Sequence, residues 1–185
     1  MLAILCDQDV VPFACWGYYA LWDAIEHGNI AVLDFMHDRG WIGANHPTPK
    51  CRVRIVVDKT ALTWIGLAAL MGRFDALKWL VAHQIDIDDL DMALVHTARD
   101  GHTPIVAWLC GRHHTQHFAT AFAMSLKHKR YKALEGMLEF RREARVRYEA
   151  DGDTLGEAVA RAQKEVEVGS TDDRAAELVR RLLEP

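Results

Sequence analysis

The densest group of chemically capable side chains is Cys110, His113, His114 and His117, in the run Cys-Gly-Arg-His-His-Thr-Gln-His. Imidazoles four residues apart share a helix face, and with a thiolate nearby they form a partial zinc ligand set. A structural zinc takes four ligands, and no second C-x-x-C or H-x-x-x-H pair supplies the rest. Cys110 also follows Leu109 on an apolar helical stripe, where a cysteine acts as a small hydrophobe. No metal and no cofactor is therefore expected. Asp86, Asp88, Asp89 and Asp91 form an acidic run without the sixth-position glycine and closing glutamate of a calcium loop. It reads as a solvated connector. The chain has no glycine-rich phosphate loop, no G-x-S-x-G elbow and no carboxylate pair spaced for acid–base work. Enzyme chemistry is not expected.

Binding chemistry is the other route to function. Lys127, His128, Lys129, Arg130, Lys132, Arg141, Arg142, Arg145 and Arg147 make residues 127–147 locally basic. Several cations on one face would suit phosphate, so nucleic-acid binding there is the alternative reading. Glu135, Glu139 and Glu143 interrupt the run, and carboxylates at helical spacing can pair with the arginines instead. A solvated helical face is the preferred account.

The elements that position these residues follow from an internal repeat. Residues 21–40, 65–84, 94–113 and 122–141 align on turn residues Gly28, Gly72, Gly101 and Lys129. Four residues before each turn stand Ala24, Ala68, Thr97 and Ser125, all small. Seven before stand Leu21, Ile65, Leu94 and Phe122, all large and apolar. After the turn come Val32–Leu33, Ala76–Leu77, Ile105–Val106 and Ala133–Leu134. Three residues further on are Phe35–Met36, Trp79–Leu80, Trp108–Leu109 and Gly136–Met137. Apolar positions at this spacing share one helical face, so each unit reads as helix, sharp turn, helix. Trp79 and Trp108 share a column with Phe35 and are expected in the core.

These units resemble the ankyrin repeat. Gly17-Tyr18-Tyr19-Ala20-Leu21-Trp22-Asp23-Ala24 and Thr63-Trp64-Ile65-Gly66-Leu67-Ala68-Ala69 stand where that family has G-x-T-P-L-H-x-A-A, and Thr120-Ala121-Phe122 keeps part of it. Gly28-Asn29-Ile30, Gly72-Arg73-Phe74 and Gly101-His102-Thr103 are similar to its G-H-L between helices. The turns lie 44, 29 and 28 residues apart, against a family period of about 33. His96 takes a column in which the family has leucine and reads as a packed imidazole; Asp23, in the same column, reads as solvated or paired with the leading segment. The resemblance implies an all-α, ankyrin-like helical-hairpin solenoid with a helical C-terminal cap. It implies a non-catalytic adaptor or effector that binds another protein on a concave face built from the first helices. Carried onto this chain, the partner-binding residues are Glu26, His27, Leu70, Met71, Arg99, Asp100, Lys127 and His128, flanked by Trp22, Gly66, Val95 and Ala123. Leu70 and Met71 read either as an exposed apolar interface centre or as a pair covered by the 41–60 insertion. The short, tryptophan-rich units resemble the divergent ankyrin proteins of giant DNA viruses and intracellular bacteria, which implies a host protein as partner and a monomeric module.

Composition is compatible with that expectation. A length of 185 residues accommodates a compact domain or short solenoid, and the net charge of −4 gives no general attraction to phosphate or anionic lipid. Four cysteines without paired spacing fit a reducing compartment. The amino end lacks a basic leader and is interrupted by Asp7 and Asp9, so no signal peptide is expected; nor is any apolar run long enough to cross a bilayer. The expected location is cytoplasmic or otherwise intracellular. Residues 1–16 are expected as a partial repeat or cap, with Leu2, Leu5 and Cys6 on one face. Residues 17–140 are the four repeats, with an insertion at 41–60. There His46-Pro47-Thr48-Pro49 favours an extended turn, and residues 51–57 read as a long loop or a short strand. In residues 141–185, Thr154-Leu155-Gly156-Glu157 is a capping box. A last helix starts near Ser170–Asp173, its stripe formed by Ala175, Leu178, Val179, Leu182 and Leu183.

Overall fold

The computed structural model describes residues 13–43, 62–112, 117–143 and 173–183. These hold α1 (Phe13–His27), α2 (Ile30–Asp38), α3 (Trp64–Leu70), α4 (Phe74–Ala82), α5 (Leu90–Asp100), α6 (Thr103–Arg112), α7 (Phe118–Lys127), α8 (Tyr131–Glu143) and α9 (Asp173–Leu183). A single 3-10 turn, Ile87–Asp89, precedes α5, and the described residues contain no strand. The protein is all-helical over this part of the chain. Of the expected leading segment 1–16, residues 13–16 belong to α1, so the expected boundary falls inside that helix; residues 1–12, the 41–60 insertion beyond Gly43 and the 154–157 capping box lie outside the described residues.

Each aligned turn joins two helices through a residue in the left-handed region: φ is 66° at Gly28, 67° at Gly72, 86° at Gly101 and 56° at Lys129. This conformation turns the following amide back toward the helix it has just left. Asn29, Arg73, His102 and Arg130 donate from N–H to the carbonyls of Ala24, Ala68, Thr97 and Ser125, at 2.7, 2.9, 2.9 and 2.8 Å. Gly28, Gly72 and Lys129 donate to Ile25, Ala69 and Leu126, completing a Schellman cap. The same device ends α2 and α4, where Gly40 and Gln84 have φ of 67° and 56°. Lys129 therefore occupies the same backbone position as the three glycines.

The chain divides into two compact units, Met1–Asp89 and Leu90–Pro185, each with two helical hairpins. In the first, α1 packs on α3 and α2 on α4; in the second, α5 packs on α7 and α6 on α8. Small residues allow the approach. Ala24, Ala68, Thr97 and Ser125 are buried, and Ser125 Oγ donates to the Ala98 carbonyl of the neighbouring hairpin at 3.0 Å. Leu33, Leu77, Val106 and Leu134, then Met36, Leu80, Leu109 and Met137, fill the interior. Burying that apolar area against a neighbour is what stabilises such short helices.

The tryptophan column is only partly core. Trp79 is buried, its Nε1 donating to Asp34 Oδ1 at 2.6 Å and its ring stacked on His83 at 3.9 Å. Phe35 and Trp108 are half-buried, because this column lies at the outer edge of each hairpin's packed face. Trp64 is fully buried. In the second unit α9 packs on α8 through Ala175, Leu178 and Val179. Arg174 holds Glu135 at 2.7 Å and lies over the Tyr131 ring.

Trp79→Ala should destabilise the protein by about 3–5 kcal/mol in denaturant unfolding, the range for emptying a buried aromatic site. Trp108→Ala, at a half-exposed position, should cost clearly less.

Candidate partner-binding site

The eight residues implied by the resemblance all fall at C-terminal ends of first helices. Glu26 and His27 close α1, Leu70 and Met71 end and cap α3, Arg99 and Asp100 close α5, and Lys127 and His128 end and cap α7. In the first unit Trp22 Nε1 donates to Glu26 Oε2 at 2.7 Å. His27 Nδ1 lies 3.0 Å from the Asp23 carbonyl and 3.3 Å from Asp23 Oδ1, on an exposed surface. Leu70 and Met71 are half-buried, not an exposed pair. The reason is local: every residue from Trp64 to Ala69 is buried, so α3 is covered nearly all round. In the second unit Arg99 and Asp100 form an ion pair at 3.2 Å, while Lys127 and His128 are exposed. Of the flanking residues Trp22 and Ala123 are half-buried, and Gly66 and Val95 are buried.

In each unit one arginine ties two of these helix ends together: Arg73 in the first, and Arg130 of the basic run in the second. Arg73 Nε donates to the Glu26 carbonyl oxygen of the preceding hairpin. Arg130 Nε donates to the Arg99 carbonyl at 3.2 Å. Each arginine follows a turn residue directly, and each acceptor stands two residues before the preceding turn. The contact therefore recurs in equivalent register in both units. It also satisfies a carbonyl in the last turn of a helix, where partners are lacking and a cation is favoured. The turn glycine makes room: a Cβ on Gly101 would meet Arg130 Cδ at 2.9 Å, and one on Gly28 would meet Arg73 Cδ at 3.9 Å.

The acidic run is more than a solvated connector. Asp86 Oδ2 accepts from the Trp64 amide at 3.0 Å, and Asp89 Oδ2 accepts from Thr63 Oγ1 at 2.8 Å. Thr63 Oγ1 in turn accepts from the Gly66 amide at 3.0 Å, the N-cap arrangement. Two carboxylates thus sit at the positive end of α3.

Of the histidine–cysteine group, His113 and His114 lie outside the described residues, and His117 directly precedes α7. Among the described residues no group of three His, Cys, Asp or Glu side chains is placed to hold a metal. Cys110 is buried, and burial pushes its thiol from 9.0 up to about 12. His96 is buried, and Asp23 is exposed. Lys127, His128, Lys129, Arg130 and Lys132 are exposed around the α7–α8 turn. Glu135, expected to pair along its own helix, instead meets Arg174 of α9. Arg145 and Arg147 lie outside the described residues. No helix of the described residues is long and apolar enough to cross a membrane.

Comparison of the chain with protein-family models, curated proteins and solved structures gives no match.

The thiol gives a pH prediction with a definite sign. Its folded value lies above its unfolded one, so the native state keeps the proton longer. The contribution is intact below pH 9.0 and declines as pH rises toward about 12. The slope for one group is about 1.4 kcal/mol per pH unit. Unfolding free energies of wild type and Cys110→Ala should therefore converge across that window. Site-resolved alkylation at neutral pH should leave native Cys110 unmodified.

Proposed function

We propose that this chain is a non-catalytic, ankyrin-like interaction module that binds a partner protein through its first helices and their C-terminal turns. The observation that carries this reading is the recurring arginine contact. In each unit a residue just after one turn grips the helix end just before the previous turn. Within each unit the two hairpins locked in that register set their first-helix ends side by side, as neighbouring repeats do in repeat architectures. The ankyrin-like motifs at Gly17–Ala24 and Thr63–Ala69 point the same way. An intracellular setting and a host protein as partner follow from the resemblance to viral and bacterial ankyrin proteins.

The exposed cations from Lys127 to Lys132 favour a second reading, nucleic-acid binding at the α7–α8 turn. A titration with an oligonucleotide at two salt concentrations separates the two, since phosphate contacts weaken steeply as salt rises.

The test of the primary reading is affinity capture with two variants, each checked for unchanged melting. Replacing Leu70 and Met71 by aspartate should abolish capture of the partner. His27→Ala with Lys127→Glu, at exposed positions, should weaken it several-fold. Full retention by both variants contradicts the reading.

A further inference from the structure

We infer that the exposed face of α1 is a docking site for an arginine-bearing segment of a partner protein. The inference rests on the interaction-module reading and names the chemistry of one part of its surface. Tyr19 is 71 % exposed, against 41 % for Ile87, the other large hydrophobic exposed among the described residues. It is followed at helical spacing by Asp23 and His27, both exposed. The adjacent row is Tyr18, Trp22 and Glu26, all half-buried. Tyr18 and Tyr19 meet edge to face with centroids 5.2 Å apart, and Trp22 lies 6.3 Å from Tyr18. Tyr18 rests in turn on buried Trp64 of α3, 5.4 Å away, so the aromatic floor is anchored to the core.

The fixed charges on this face are the carboxylates, with the His27 imidazole 3.3 Å from Asp23 Oδ1. Helix α1 contains Asp23 and Glu26 and no lysine or arginine. Trp22 Nε1 pins one oxygen of Glu26 and so fixes the carboxylate beside the rings. Arg73, the cation that approaches this helix, has its Nε engaged by the Glu26 main-chain carbonyl. Aromatic faces attract cations through the ring quadrupole. Arginine suits the combination better than lysine: its planar guanidinium stacks on a ring while its fork of donors meets a carboxylate. An acidic peptide or a nucleic acid would meet like charge.

The test is fluorescence anisotropy on the full chain. The probes are a labelled peptide alternating arginine and serine, and matching lysine–serine and glutamate–serine peptides. The arginine peptide should bind tightest and the glutamate peptide should not bind. Tyr19→Ala should weaken the arginine peptide about threefold, and Asp23→Asn with Glu26→Gln about fivefold. Glutamine keeps the acceptor for Trp22. Asp88→Asn with Glu139→Gln removes two exposed carboxylates elsewhere and should leave affinity unchanged. Absence of binding, equal affinity for lysine and arginine peptides, or an equal loss in that control pair overturns the inference. If those outcomes occur while the Leu70/Met71 variant still loses partner capture, the docking site alone falls and the module reading stands.

Discussion

One backbone constraint underlies the described structure: at each turn between paired helices a single residue adopts a left-handed conformation. It reverses the chain in the fewest residues and returns the next amide to a carbonyl of the helix just completed. Without it the hairpins would open, and their apolar stripes would have no partner. Glycine takes this conformation freely, whereas a side chain with a Cβ is strained there. Lys129 adopts it nevertheless. Tertiary packing of α7 on α8 therefore dictates the turn, and local preference only assists it.

The same turn governs contact between hairpins. Because the residue after it is directed to the neighbouring helix end, an arginine at that position reaches the preceding hairpin's last carbonyls. Arg73 and Arg130 do this in separate units with the same offset. Close packing has a consequence for binding. Residues of α3 and α5 one turn before their ends are buried, so what the first helices leave accessible is their ends and the open face of α1. There the rings of Tyr18, Tyr19 and Trp22 stand beside Asp23 and Glu26, on a helix that itself contains no lysine or arginine.

Much of this was legible in the chain as written. The small-residue column, the turn column and the apolar pairs after it are short-range periodic signals, and the structure places all four turns where they fall. The burial of Met36, Leu80, Leu109 and Met137 follows from the same period. What periodicity does not carry is which neighbour covers a given face. Trp79 and Trp108 occupy one column, yet His83 stacks on Trp79 while Trp108 stays half-exposed. Leu70 and Met71 stand in columns just before a turn that the other units fill with charged residues, but α3 is enclosed on nearly every side. Asp86 and Asp89 act on an amide and a hydroxyl more than twenty residues earlier in the chain, a relation no local pattern encodes. The arginines were visible, each directly after a turn residue, but their acceptors are main-chain carbonyls, which leave no mark in sequence.

The turn-to-turn grip is tested most directly by a double-mutant cycle in equilibrium unfolding. The cycle pairs Gly101→Ala with Arg130→Ala and is compared with Gly28→Ala and Arg73→Ala. A methyl on residue 101 would stand 2.9 Å from Arg130 Cδ and displace the side chain from its carbonyl, whereas at residue 28 the distance to Arg73 is 3.9 Å. A coupling of about 1 kcal/mol or more is expected for the first pair and near zero for the second. Additivity of Gly101→Ala and Arg130→Ala to within about 0.5 kcal/mol would contradict it.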